Sequence, residues 1–362
     1  MKTGQKISTR QMVALLFAGM LSPTIRALPR RSTSLGGEAG WLSCLIAAVP
    51  LLLVIWCVMG CLKRMPAGSG MGELFERALG HRLGRILSGM YALWMMLVMA
   101  VFLRLYAERF LSTTYQTGEL YLFLSVMVAM MLWMSEGSFG AFARMGEIFC
   151  FLLVAALALA LGLAAGNVKL EHVLPLWWED TPDALLGALP ALGTLGYGVT
   201  AFFLAGQVKD AREGRGKVLK WSAAFCLMLT CMQFIVVGLF GPTLTAQMEV
   251  PFFMTAKEVN IAGGVERIES VIVTLWVLTD LVLLGLFVRS ACAAIQHCFH
   301  LEDGQKVASP MIMCLLPIAL LVASTSFELE QFNTKVVTGM NLILAYLVPL
   351  LVCAMARLRK RL

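Results

Sequence analysis

The sequence predicts an all-α polytopic membrane protein of about ten transmembrane helices, organised as a five-plus-five inverted repeat. Three observations lead there. Of the 362 residues, 59% are hydrophobic and only 14% charged, whereas a soluble domain carries about 25% charged residues. The apolar residues gather in runs of the length a helix needs to cross the hydrocarbon core, about 20 residues. The stretches between these runs are short, the longest being 63–85 and 241–267. The chain therefore reads as one transmembrane domain, 1–362, with no room for a soluble catalytic unit.

Nine runs are clean: 41–62, 86–109, 119–135, 147–166, 185–207, 220–240, 268–294, 309–326 and 336–355. The loop before 268 carries Pro242, Pro251, Phe252, Phe253 and Gly263-Gly264, a composition suited to folding back on the membrane surface. The first run, 10–33, is damaged. It is apolar from Met12 to Leu21, meets Ser22-Pro23-Thr24-Ile25-Arg26, and resumes at Ala27-Leu28. A basic lead-in followed by a short apolar stretch imitates a secretory signal, but no small-residue cleavage site follows it. It reads as an uncleaved first helix.

Orientation follows from the basic residues, which are retained on the cytoplasmic side of short loops. If ten helices alternate, 20 of the 29 Lys and Arg lie on the side of the N-terminus, so both termini are expected in the cytoplasm. The net charge of +7 does not indicate nucleic acid, because the basic residues sit in short juxtamembrane groups. The cysteines likewise indicate no disulfide framework or metal centre. Most of them, from Cys44 and Cys57 to Cys353, lie inside apolar runs, where a thiol behaves as a small hydrophobe. His297 and His300 beside Glu302 and Asp303 are the nearest thing to a metal-ligand group, and they lie at a helix end. No metal and no cofactor is expected.

Sites in such a protein are sought where helices are interrupted, since unwound backbone is tolerated only where it faces protein or a watery cavity. Pro23 removes a donor and clashes with the preceding turn, so a break is expected over Gly19–Thr24. The run that opens the second half reads Pro190-Ala191-Leu192-Gly193-Thr194-Leu195-Gly196-Tyr197-Gly198-Val199-Thr200, and a second break is expected there. Backbone and hydroxyl groups of Gly19, Ser22 and Thr24 with Gly193, Thr194 and Gly196 then offer themselves to a ligand's carboxylate and ammonium, with Tyr91 and Tyr197 shaping the pocket. The alternative is that these glycines serve close helix packing. Charges inside the membrane are costly and mark function. Asp280 stands alone in Trp276-Val277-Leu278-Thr279-Asp280-Leu281, placed to hold a proton, to coordinate a cation, or to pair with an arginine of another helix. Arg104 and Glu108 are four apart and can pair on one face, as a gate or a structural pair, and a local pair is also expected of Arg144 and Glu147.

Several stretches carry a resemblance: Lys6-Ile7-Ser8 before the first helix, Gly36-Gly37-Glu38-Ala39-Gly40-Trp41 entering the second, Leu103-Arg104-Leu105-Tyr106-Ala107-Glu108-Arg109-Phe110 closing the third, Arg144-Met145-Gly146-Glu147-Ile148, Leu174-Pro175-Leu176 and the Trp276–Phe287 helix. Together they resemble the endospore germination permease family, the GerAB-type B subunit of germinant receptors within the amino acid–polyamine–organocation transporter superfamily. The resemblance implies ten helices with a ligand site among the first, third, sixth and eighth. It also implies a small nutrient ligand, an amino acid, and residence in the spore's inner membrane beside a larger membrane subunit and a lipoprotein. The chain departs from the family pattern after the glycine-rich stretch of the sixth helix, where Gly198, Val199 and Thr200 stand in place of an acidic residue, and in a basic first-helix segment with Arg26, Arg30 and Arg31. The expected function is a ligand-sensing receptor subunit. The runner-up is an ion-coupled secondary transporter of amino acids or related solutes, with Asp280 as the coupling residue. No nucleophile–base pair or metal cluster supports an enzyme.

Overall fold

The computed structural model describes residues 6–113, 118–174, 176–258 and 268–359. Their regular structure is helical, apart from one isolated bridge between Ile7 and Val208. Helix α1 (Thr9–Gly36) starts at Ser8, whose hydroxyl accepts from the Gln11 N–H while Gln11 Oε1 accepts from the Ser8 N–H at 3.0 Å, a reciprocal cap. It ends at Gly37, whose φ of +50° suits a residue without Cβ. A 3₁₀ turn, Gly37–Leu42, then feeds α2 (Ser43–Leu62). Short α3 (Met71–Leu79) precedes α4 (His81–Thr113), α5 (Leu120–Glu136) and α6 (Phe139–Ala164). Helix α7 (Thr181–Leu195) runs on as a 3₁₀ segment, Gly196–Gln207; α8 (Arg215–Gln247), α9 (Pro251–Glu258), α10 (Ile268–Phe299) and α11 (Ala308–Leu321) follow. The last rod, Ser326–Leu358, contains α12 (Ser326–Phe332), α13 (Thr338–Asn341) and α14 (Val348–Leu358), joined by two π-helical turns.

Among the described residues, eight helical stretches are long and apolar enough to cross a membrane, the first of them, Thr9–Leu62, holding both α1 and α2; Leu120–Glu136 is shorter and also apolar. The chain is a multi-pass membrane protein. Helix α10 lies at its centre, packed along α4 and α1. Of its most apolar stretch 89% is buried, against 22% for Phe139–Asn167. Exposed side chains such as Trp133 and Phe151 form the apolar exterior that lipid covers. For reference, the end of the bundle holding the start of α1 is the lower face, and the end holding Gly36 is the upper face.

The break expected in the first helix does not open. Helix α1 stays α-helical through Ser22, Pro23 and Thr24 and again through Pro29. The Thr24 hydroxyl donates to the carbonyls of Met20 and Leu21 at 2.9 and 2.8 Å, tying the turn at Pro23 to the preceding one. In α7 the winding tightens at Gly196 from α to 3₁₀ without the chain leaving the helix. A 3₁₀ run of 12 residues is long for that geometry and marks strain or a hinge. The loop expected to fold back begins as α9, whose Phe253 packs on Trp276 at 5.4 Å. Gly263-Gly264 and Pro175 lie outside the described residues.

On the lower face the entry to α1 is tied to the loop after α7. Ile7 exchanges backbone hydrogen bonds with Gln207 and Lys209, and the Thr9 N–H donates to Asp210 Oδ1 at 2.7 Å. The Asp210 carboxyl sits below the ordinary carboxylate range: partial burial pushes it up, and the Thr9 N–H and the Lys217 charge outweigh that. A lowered carboxyl stabilises the fold above its unfolded value near 3.9 and loses that contribution only as pH falls through its lowered folded value. Asp210→Asn is therefore expected to lower the melting midpoint equally at pH 7 and pH 5. A deficit that vanishes by pH 5 contradicts this assignment.

Candidate functional site

Because α1 is continuous, Ser22, Arg26 and Arg30 recur every four residues and share one face. Helix α4 supplies Leu105, Glu108 and Arg109, also on one face, and α10 supplies Asp280. These meet under the upper face. The Ser22 hydroxyl donates to Asp280 Oδ1 at 2.5 Å, and the Arg109 guanidinium donates to Oδ2 at 3.0 Å. All three side chains are buried, Asp280 to 3% exposure. Arg109 also lies over the Trp276 ring at 5.3 Å. One carboxylate thus engages two other helices through its two oxygens. A buried ion pair adds little over apolar packing, but breaking one is costly, so the cluster is more than a spacer.

Above it opens a cavity of about 400 Å³ lined by Arg26, Arg30, Arg31, Glu108, Arg109 and Glu330 among others. Two ion pairs stand at its wall, Arg31 with Glu330 at 2.7 Å and Arg104 with Glu108 at 2.8 Å. The Arg26 guanidinium lies 5.8 Å over the Phe102 ring. Phe102 in turn packs edge-on against Tyr197 at 5.2 Å, and Tyr197 against Phe287 at 5.7 Å. The polar cavity therefore adjoins an aromatic layer shared by α4, α10 and the 3₁₀ segment after α7.

The structure places the other expected ligand residues in close helix contacts and intramolecular hydrogen bonds. A Cβ on Gly19 would meet the Leu283 backbone Cα at 3.1 Å, one on Gly193 the Thr338 Cγ2 at 2.6 Å, and one on Gly196 the Ala345 Cβ at 2.9 Å. These glycines bring α1 against α10 and α7 against the last rod. The Gly193 carbonyl accepts from Asn341 Nδ2 at 2.6 Å, and the Thr194 hydroxyl donates to its own helix at Pro190. Thr24 is spent on Met20 and Leu21. Tyr91 donates its hydroxyl to the Leu344 carbonyl and packs against Phe75, Trp94 and Phe203, away from the Asp280 cluster. Of the expected set, the structure brings Ser22 and Asp280 into contact and places Tyr197 in the adjoining aromatic layer.

The Arg104–Glu108 pair forms as expected. The Arg144–Glu147 pair does not: Arg144 is exposed, and Glu147 reaches the start of α1, where it faces Arg10 at 3.7 Å and accepts from Gln11 at 3.2 Å. His297 pairs with Glu73 at 3.1 Å, and His300 with His81 at 3.1 Å, instead of Glu302 and Asp303. Burial pushes the Glu73 carboxyl up, but the hydrogen bond and charge of His297 and the Gly70 N–H bring it below its ordinary value.

Sequence reasoning did not foresee Arg109 as the specific partner of Asp280, and it marked Arg26 and Arg30 as a basic segment without placing them on one face with Ser22. The four-residue spacing from Ser22 was the available signal, and the expectation of a break at Pro23 concealed it.

A family profile described as spore germination protein matches residues 6–332. In Bacillus subtilis (strain 168), spore germination protein KB is 18% identical over 346 residues, covering 94% of this chain and 90% of that protein. Putative spore germination protein YfkT is 22% identical over 328 residues, covering 87% and 86%. Among solved structures, a Na⁺-coupled sialic acid symporter in its substrate-bound outward-open state superposes with a TM-score of 0.62 at 11% identity, over 95% of this chain and 80% of that one. Mhp1, a nucleobase-cation-symport-1 family transporter in a closed conformation, gives 0.62 at 15% identity, over 98% and 80%. Likeness at such identities speaks for the fold, which is that of these transporters. The profile, running from the bridge at Ile7 to the cavity wall at Glu330, settles the lineage: the chain belongs to the spore germination permease family.

Proposed function

We propose that this protein is the ligand-sensing B subunit of a germinant receptor, using a transporter fold to bind a small nutrient, an amino acid in the first instance. The observation that carries the reading is the buried Ser22–Asp280–Arg109 contact at the foot of the cavity. It joins α1, α4 and α10 through one carboxylate, so a ligand that competes for any of the three alters how the helices hold together. Binding becomes a signal if the ligand prefers one arrangement, because only differential affinity shifts a conformational equilibrium. The basic bias of the loops supports cytoplasmic termini, and the family supports the spore's inner membrane with a larger membrane subunit and a lipoprotein as partners. The family profile and the transporter fold support a binding role for the polar cluster over bond-making.

Ser22→Ala tests the reading. The Arg109–Asp280 pair survives the change, so the protein is expected in spore membranes at its usual level. The nutrient concentration for half-maximal germination should rise about tenfold, the equivalent of ~1.4 kcal/mol. An unchanged dose–response at normal protein level removes the cluster from the signalling site.

A further inference from the structure

We propose that the upper cavity takes a solute of net negative charge with two carboxylates, the dicarboxylate class that includes the acidic amino acids. The inference rests on the sensing role above and specifies its ligand.

The argument is a charge inventory. Four guanidinium groups line the cavity. Arg31 is matched by Glu330 at 2.7 Å and Arg109 by Asp280 at 3.0 Å. Glu108 is already held by Arg104. Arg26 and Arg30 remain. Among the described residues neither has a carboxylate within ion-pair distance, and the Arg26 guanidinium lies over the face of Phe102. The last acidic residue at the wall, Glu249, is exposed. An unmatched cation half-buried between two closed ion pairs, in a bundle of low dielectric, attracts an anion far more strongly than it would in water.

Geometry narrows the class. Arg26 and Arg30 are one helical turn apart, about 5.4 Å along the axis, a spacing that suits the two ends of a short dicarboxylate. A guanidinium fork matches a carboxylate with two parallel hydrogen bonds. The cavity volume of about 400 Å³ falls in the range of small-molecule sites, roughly 300–1,000 Å³. Ser22 lies on the same face one turn below Arg26, and Arg109, which bonds Asp280, lines the cavity, so an occupant held by the two arginines lies next to the residue that joins the cavity to the Ser22–Asp280 contact. A neutral amino acid, with a single carboxylate balanced by its own ammonium, leaves one of the two arginines unmatched.

The test is calorimetric binding to the purified full-length protein, with succinate, L-glutamate, L-alanine and L-leucine as probes. Succinate or glutamate is expected to bind at least tenfold more tightly than alanine or leucine. Arg26→Gln and Arg30→Gln should each remove most of that preference, and Arg26→Lys should restore part of it. Circular dichroism and melting of each variant check that it is folded, and the Arg30 variant, nearer the cavity mouth, keeps the test open if the Arg26 variant is unstable. Tight binding of alanine or leucine with no preference for the acids overturns the charge assignment and leaves the sensing site standing. Arginine-dependent succinate binding with an unaffected Ser22→Ala germination response upholds the anion site and removes the sensing role. Binding by none of the four probes, or acid binding indifferent to both arginine variants, overturns the inference.

Discussion

Asp280→Ala is expected to be the most damaging single substitution in the bundle, costing about 3–5 kcal/mol and most of the protein's accumulation in the membrane. It takes away the carboxylate that Arg109 faces at 3.0 Å and leaves the Ser22 hydroxyl without its acceptor. The same positions provide the check. In a double-mutant cycle of Asp280→Asn and Arg109→Gln, melting midpoints of the detergent-solubilised protein should show the pair to be less destabilised than the sum of the singles. A coupling of about 1–3 kcal/mol is expected, since residues in one network are non-additive on that scale. Additivity within about 0.5 kcal/mol would mean that the two side chains act independently and that the cluster does not hold α4 to α10.

Gly19→Leu is expected to be nearly as severe, for a different reason. The new Cβ would lie 3.1 and 3.2 Å from the Cα and N of Leu283, which are backbone atoms and cannot turn aside. Overpacking of this sort costs about 1–3 kcal/mol and forces α1 away from α10. Ser22, less than one turn along α1, is then withdrawn from Asp280, so the variant should lose nutrient response even where some protein still reaches the membrane. Gly162→Leu is the control, because a Cβ at Gly162 meets nothing within 4 Å. Equal behaviour of the two variants in melting and membrane level would refute close α1–α10 packing as the role of Gly19.

The particular residues show why some features were legible in the sequence and others were not. Asp280 could be recognised without any fold, because a lone carboxylate in an apolar helix must find a partner wherever the helix goes. Its partner could not, since Arg109 lies 171 residues away and the pairing depends on how two helices are rotated about their axes. Pro23 was a sound reason to expect a break, since it deprives the Gly19 carbonyl of its donor, yet α1 stays helical there, with the Thr24 hydroxyl bonded to the Met20 and Leu21 carbonyls of the preceding turn. With α1 unbroken, Ser22, Arg26 and Arg30 fall on one face. Gly193 and Gly196 carried two readings that composition does not separate. In the structure both lie in close contact with Thr338 and Ala345 of the last rod. Glu147 and Arg144, three apart, had the right spacing for a local pair, yet Glu147 found Arg10 at the start of α1.

Sequence by itself determined the membrane class, the helical architecture, the family and the position of the carboxylate buried in α10. These follow from properties that are local and additive: apolar run length, loop charge, short motifs and the cost of burying one carboxylate. Tertiary structure decided the partner of Asp280, the continuity of α1, the surroundings of Gly19, Gly193 and Gly196, and the cavity with two arginines left unmatched. Those depend on helix rotation and on contacts between residues far apart in the chain, which a one-dimensional pattern of spacing does not encode.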